Sequence, residues 1–352
     1  MRIHPNFIGG NISVKEINGN TVVLENQLRD TPEDWFYWAF CVEDAENQTL
    51  TFKFQKNRLG YFGPAVSYDL MNWHWLDRVD ADSFTYHFGK NERKVYFAHS
   101  MLYHPNRFLH FAASHNIQVK ELCQGYHGSH VPCIMFGAGN KSIILTARHH
   151  ACESTGNYVL EGVLEEWIAN PIPDTKVFCV PFVDYEGVIR GDQGKHRAPH
   201  DHYLDYDTQK ESMYPECDAI KAYVKANGCD YGFDFHSPWH KSNEHDTVFI
   251  VQNRAEELER LNRFGELFEN SITSKSFQYA HKHDFPPETQ WNHFGPQFPC
   301  YLSQLPENRL AFTMETAYFG TLDNRVNEER LLELGHCFVR ALKKYIETEQ
   351  LQ

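Results

Sequence analysis

No run in this chain is long and apolar enough to cross a bilayer, and the opening Met1-Arg2-Ile3-His4-Pro5-Asn6 lacks the apolar core of a secretory leader. Basic residues are in deficit: 33 lysines and arginines against 47 aspartates and glutamates leave a formal charge of −14. Without a basic stripe, phosphate-rich partners have no footprint, which argues against nucleic acid and against acidic membrane surfaces. There is no repeat of fixed period, no low-complexity tract and no Gly/Ser- or Pro-rich linker. A disulfide framework is also unsupported. The nine cysteines, Cys41, Cys123, Cys133, Cys152, Cys179, Cys217, Cys229, Cys300 and Cys337, are odd in number and scattered, several inside apolar runs. That pattern suits reduced, buried thiols and gives the expectation of a cytoplasmic protein. What remains is a globular composition, 41% hydrophobic and 23% charged, over 352 residues. That length suggests about two domains.

The first part reads as short strands broken by turn residues. Ile12–Ile17 and Thr21–Leu24 flank Asn18-Gly19-Asn20; Phe36–Val42, the alternating Leu50–Phe54, Phe62–Ser67 and Val95–His99 follow. Such spacing predicts a small antiparallel β-sandwich over residues 1–102. Its many aromatics are expected to form the core, because strands favour aromatic residues in any case.

Near Tyr103-His104-Pro105-Asn106 the pattern changes to alternating strands and helices, so a second domain is expected over 103–352, packed directly on the first. Strands are predicted at Cys133–Phe136, Ile143–Ala147, Val177–Val183, Thr247–Val251 and Leu310–Met314. Helices are predicted at Ser154–Ala169 with Ser154 as cap, Lys210–Lys225 closed by Gly228, Ala255–Ser271 and Glu328–Thr348. Alternation of this kind predicts an α/β domain with a mixed, mostly parallel central sheet flanked by helices, its site beyond the strand ends.

Chemistry concentrates where apolar runs stop. Ser142–Ala147 is apolar and β-branched, then Arg148-His149-His150-Ala151-Cys152-Glu153 turns polar. His150 and Glu153 form H-x-x-E, a spacing that lets an imidazole and a carboxylate converge on one cation. A catalytic zinc takes three protein ligands, and His236, at the polar tip of Gly232-Phe233-Asp234-Phe235-His236-Ser237, is the candidate third. Asp234 could orient His236 through its other ring nitrogen. His281, His283 and His293 lie in a Pro- and aromatic-rich loop without ligand-like spacing, and Pro238 makes a helical His236/His240 pair implausible.

Three stretches together carry a family resemblance. Arg148–Glu153 is similar to R-x-H-P-G-E, Asp234-Phe235-His236-Ser237 to D-[IL]-H-[SG], and Thr313-Met314-Glu315 to T-[LF]-E, all in order. The chain thereby resembles the M14 zinc carboxypeptidases, in particular the cytosolic carboxypeptidase branch, from about residue 100 onward. The resemblance implies one zinc ion held by His150, rather than His149, with Glu153 and His236. It also implies Glu315 as the general base and an N-terminal β-rich domain ahead of a zinc carboxypeptidase-like catalytic domain.

One stretch departs from that family. Where relatives carry D-x-N-R, whose Asn and Arg bind the substrate carboxylate, this chain has Asp201-His202-Tyr203-Leu204. Leucine cannot grip a carboxylate as a guanidinium does. Arg190, Lys195 and Arg197 lie just upstream, and Arg197 is the expected substitute, with Arg190 and Tyr203 as further substrate contacts. The resemblance implies a metallocarboxypeptidase acting on a peptide. The lost Asn-Arg pair keeps open a deacylase acting on a small amino-acid conjugate, and a catalytically silent binding protein is the remaining alternative. Acidic tails such as polyglutamate are disfavoured by the chain's own charge.

Overall fold

The computed structural model describes residues 1–77, 80–241 and 246–349. The first hundred residues form β1 (Arg2–His4), β2 (Ser13–Asn18), β3 (Thr21–Glu25), β4 (Ala39–Glu43), β5 (Thr49–Phe54), β6 (Ala65–Ser67), β7 (His74–Trp75), β8 (Ser83–His87) and β9 (Lys94–Ala98). They assemble into a five-stranded sheet, β1-β4-β9-β6-β7, and a four-stranded sheet, β2-β3-β5-β8. Alternate residues point inward, so Val22, Leu24, Phe40, Phe52, Phe84 and Phe97 are buried together, with Phe40 and Phe52 centroids 5.2 Å apart. The aromatics named from sequence therefore serve chiefly as core. One pairing differs from the expectation: β3 and β5 run parallel, Thr21 opposite Thr51. The chain leaves this sheet to make β4 in the other and returns in its original direction, a switch that strand periodicity does not encode.

Then come α1 (Pro105–Ser114), β10 (Lys120–Gln124), β11 (His130–Gly137), β12 (Lys141–Ala147), α2 (Thr155–Ala169), β13 (Thr175–Val180), α3 (Tyr185–Arg190) and α4 (Pro215–Asn227). The chain continues through β14 (Tyr231–His236), β15 (Val248–Val251), α5 (Leu258–Glu269), α6 (Phe298–Ser303), β16 (Leu310–Thr316) and α7 (Glu328–Glu349). The seven-stranded sheet has the order β10-β11-β13-β12-β14-β16-β15. Its middle, β13-β12-β14-β16, is parallel, and antiparallel strands finish both edges. Helices α2, α5 and α7 cover one face through Val159, Phe264 and Phe338; α4 and α6 cover the other through Ile220 and Leu302. With both faces covered, β12 and β14 are buried almost throughout, which is why they read as unbroken apolar runs.

Several boundaries moved. Ser154 makes no cap; its hydroxyl donates to Met101 O at 2.7 Å instead. Helix α4 starts at Pro215 rather than Lys210, because the Asp205 carboxylate accepts Met213 N and Tyr214 N at 3.0 and 2.9 Å and turns the chain first. Gly228 closes α4 with φ 73°, as expected. Helix α1 and strand β10 have no counterpart in the sequence-based reading. All nine cysteines are free, and eight are buried. No helix among the described residues is long and apolar enough to cross a membrane.

Candidate metal centre and active site

Three parallel strands deliver the chemistry at their C-terminal ends. Thr146 and Ala147 of β12 pair with Asp234 and Phe235 of β14, and His236 of β14 lies opposite Glu315 of β16. Beyond Ala147, Arg148 takes φ 63°, and this left-handed residue turns the chain sharply out of the sheet. His150 and Glu153 follow on that turn, closed by Glu153 N to His150 O at 3.2 Å.

Glu153 sits between the two imidazoles. Its Oε1 is 2.8 Å from His150 Nδ1 and its Oε2 is 2.7 Å from His236 Nδ1. Each ring is held from behind by a second carboxylate: Asp201 Oδ1 lies 3.2 Å from His150 Nε2, and Asp234 Oδ2 lies 2.6 Å from His236 Nε2. A carboxylate on Nε2 fixes the proton there and leaves Nδ1 as the ligating nitrogen, so both Nδ1 lone pairs and the Glu153 oxygens are presented to one cation. The donor atoms of His150, Glu153 and His236 all lie within 4.8 Å of one another. Two imidazoles and one carboxylate are a zinc donor set, with room left for an exchangeable position on the cleft side.

A second cluster, His149, Asp234 and His236, meets the same distance criterion. Its atoms are already consumed. His149 bonds Asp234 through Nδ1 at 3.0 Å and Tyr206 OH through Nε2 at 2.8 Å, and Thr146 Oγ1 donates to Asp234 at 2.7 Å. His149 and Asp234 do not line the cleft and act as the support behind His236.

Charges are tuned accordingly. Burial alone would raise the Glu153 pKa, but Lys195, His150 and His236 hold it well below the usual carboxylate range. Glu315 has the opposite fate: burial, reinforced by the Glu153 carboxylate, pushes it up to about 7. One oxygen of Glu315, Oε2, is buried without a partner. A carboxylate poised near neutrality beside a metal cage can both take and return a proton.

The loop 191–197 is built against the N-terminal sheets. Asp30 accepts Gln193 N and Gly194 N at 3.0 and 2.7 Å, while the Gln193 side chain accepts Tyr37 N at 2.8 Å and donates to Tyr37 O at 2.9 Å. Gly194 has φ 78°, and a Cβ there would lie 2.1 Å from Ala151 N, so only glycine lets the loop pass this close to the ligand turn. The loop thereby places Lys195 Nζ against Glu153 Oε1, with the Ser237 and Pro238 carbonyls each 3.1 Å away.

A cleft of about 400 Å³ opens onto these groups. His150, His236, Glu315, Lys195 and Asp201 line it, together with Trp35, Trp239 and Pro238. His196, Tyr203, Leu204, Val251, Asn253, Trp291, Asn292 and Gln297 complete the lining. Tyr203 is thus in the cleft, its OH 2.9 Å from Thr313 Oγ1.

The expected carboxylate clamp is not there. Arg197 turns away into a buried network, paired with Asp184, with Asp192 at 3.1 Å and with Asp30 at 3.7 Å. Arg190 pairs with Asp192 at 2.8 Å, and both arginines line a separate cavity. Three interior carboxylates, Asp30, Asp184 and Asp192, hold these cations away from the cleft. The loop histidines are likewise committed elsewhere: His281 to Asp284 and His293 to Glu288, each at 2.8 Å, while His240 pairs with His99.

Sequence reasoning missed Asp201, although it is the Asp of the D-x-N-R frame, and Lys195 as a neighbour of the metal ligands. It also missed Trp35, Trp239 and Trp291 as cleft walls. Of these only Asp201 carries a sequence signal.

No family model matches the chain. An uncharacterised protein of Zymomonas mobilis is 25% identical over 257 residues, 67% of each chain. Among solved structures, a metallo-carboxypeptidase from Burkholderia cenocepacia superposes with a TM-score of 0.78 at 18% identity, over 99% of both chains. A metallo-carboxypeptidase from Pseudomonas aeruginosa, solved in complex with (2-guanidinoethylmercapto)succinic acid, gives 0.79 at 20% identity, again over 99% of both. The whole chain, N-terminal sheets included, has the metallo-carboxypeptidase fold.

Proposed function

We propose that this chain is a zinc-dependent hydrolase of the carboxypeptidase type, cleaving a peptide or related amide bond. The observation that carries the reading is the arrangement of His150 Nδ1, Glu153 and His236 Nδ1 around one point, with Asp201 and Asp234 fixing the outer nitrogens. His150, Glu153 and His236 would hold one zinc ion; when bound, zinc supplies Lewis acidity that makes water acidic near neutral pH and polarises a carbonyl. Glu315 accepts the proton from the attacking water and returns it to the departing amine, a task its elevated pKa suits. Lys195, the cation nearest Glu153, keeps positive charge where the carbonyl oxygen becomes negative. Asp201 and Asp234 keep the rings oriented through both steps.

Free, buried thiols support a cytoplasmic setting. The N-terminal sheets, residues 1–102, are proposed as a domain that completes the cleft through Trp35. A silent binding protein is the weaker reading, since it has no use for a buried, unpartnered glutamate beside a metal cage. The test is metal analysis of wild type and His236→Ala, paired with cleavage of a peptide panel with and without a chelator. One zinc per chain, lost in the variant, and chelator-sensitive cleavage are expected. Wild type without zinc, or chelator-resistant cleavage, would falsify the assignment.

A further inference from the structure

Two tryptophans of the cleft lining keep much of their surface in water. Trp239 is 53% and Trp291 46% exposed, and both line the cleft onto which His150, His236 and Glu315 open. A single exposed aromatic on a protein surface means little, but two indoles on one cavity of about 400 Å³ are apolar area that an occupant can remove from water.

Both indoles are anchored. Trp291 stacks on Phe285, with centroids 4.8 Å apart and planes 12° from parallel, and Phe285 N donates to Ile250 O of β15 at 2.8 Å. The next residue, Asn292, donates through Nδ2 to Gln252 O and Pro286 O, each at 2.9 Å. Trp239 packs against Trp35 of the N-terminal domain, centroids 4.8 Å apart. The residues on either side of it are pinned as well: Pro238 O accepts Lys195 Nζ at 3.1 Å, and His240 Nδ1 lies 2.8 Å from His99 Nε2. Rings fixed in advance give up little freedom when a ligand arrives, so more of the burial appears as affinity.

The rest of the lining divides by role. His150, His236, Asp201 and Lys195 belong to the network around Glu153, and Glu315 carries the proton. The lining left to meet a substrate side chain is largely apolar, Leu204 and Val251 lying in the same cleft as the two indoles. An acidic side chain would enter beside Glu315 and Asp201, on a protein of net charge −14. We propose that Trp239 and Trp291 form a specificity site for an aromatic or bulky apolar side chain of the substrate. The proposal rests on the hydrolase reading for the reaction carried out in this cleft, and it names the class of side chain admitted there.

The test measures binding by calorimetry to the full chain treated with chelator, so that no turnover consumes the ligands. N-acetyl derivatives of phenylalanine, alanine, lysine and glutamate are compared, each as free acid and as amide, so that the end group does not prejudge the result. In whichever series saturates, phenylalanine is expected to bind about tenfold or more tighter than alanine, and tighter than lysine or glutamate. Trp239→Ala and Trp291→Ala should each cut the phenylalanine-to-alanine ratio by about threefold or more, and Trp291→Phe should keep most of it. Phenylalanine within twofold of alanine overturns the proposal, as does failure of either phenylalanine compound to saturate by about 10 mM. Tighter binding of lysine, which would make the indoles a cation site, overturns it too, and so does tighter binding of glutamate. Retention of the full ratio in both folded alanine variants is equally fatal; should one not fold the other decides, and should neither fold the wild-type comparison decides alone. A zinc titration of the same wild-type sample separates the two claims. Zinc uptake without a phenylalanine preference sinks the specificity site alone, whereas absence of zinc uptake sinks the hydrolase reading whichever compound binds.

Discussion

Asp201 Oδ1 lies 3.2 Å from Nε2 of His150, while Nδ1 of the same ring faces Glu153 at 2.8 Å. Once the ring is neutral, Asp201 selects the tautomer in which Nδ1 is free to ligate. Asp201→Asn should weaken zinc binding by about 10- to 100-fold. Competition against a chromophoric chelator measures this. Unchanged affinity would mean that packing against Tyr203, 5.7 Å away between ring centroids, orients the ring instead.

Zinc binding should release protons. Burial would depress the His150 pKa, but Asp201 and Glu153 outweigh it and hold it up to about 9, so the ring is charged at neutral pH without metal. A ligating imidazole must be neutral, hence affinity should climb as pH rises toward 9. Calorimetry in buffers of different ionisation enthalpy counts the protons. The same shift has a stability consequence of opposite sign. The folded pKa exceeds the unfolded value of about 6.5, so this contribution is complete below that pH and disappears as pH rises toward 9. Thermal melts of chelator-treated protein should fall across that window, and zinc-loaded melts should not follow.

Glu315→Gln keeps the shape of the side chain but cannot carry a proton between water and amine. A loss of about 10²- to 10⁴-fold in kcat is expected, with zinc content intact because Glu315 makes no bond to His150, Glu153 or His236. Steady-state kinetics with parallel metal analysis checks it; a variant within threefold of wild type would reassign the proton carrier.

Arg197→Ala should unfold before it alters specificity. Asp184 would be left buried without its guanidinium partner, while Asp192 keeps Arg190, and breaking such a pair costs about 3–5 kcal/mol. Chemical denaturation measures the loss. Cleavage of the peptide panel by the folded fraction should keep the wild-type pattern, since the guanidinium does not line the cleft.

The convergence of His150, Glu153 and His236 was legible because its information is local: β12, β14 and β16 are buried runs that end at or just before the candidate residues, and H-x-x-E spans one turn. The fate of Arg197 was not, because its partners Asp30, Asp184 and Asp192 are brought to it only by tertiary folding. Trp35 is a similar case. In sequence it is one aromatic among strand residues, and only the contact with Trp239, 4.8 Å between centroids, makes it a wall of the cleft. The parallel β3–β5 pair escaped for a different reason: periodicity reports which residues are buried and is silent on which sheet a strand joins.

Because Trp35 lines the cleft and Gln193 clasps Tyr37, occupancy of the cleft and cohesion of the N-terminal sheets are one coupled equilibrium. Whatever free energy a ligand draws from the Trp35 ring is forfeited when the sandwich lifts away, so by reciprocity the ligand opposes that lifting to the same extent. Amide exchange in β4, close in sequence to Trp35 and Tyr37, should therefore slow as the cleft fills, making the N-terminal end of the chain the place to watch for substrate.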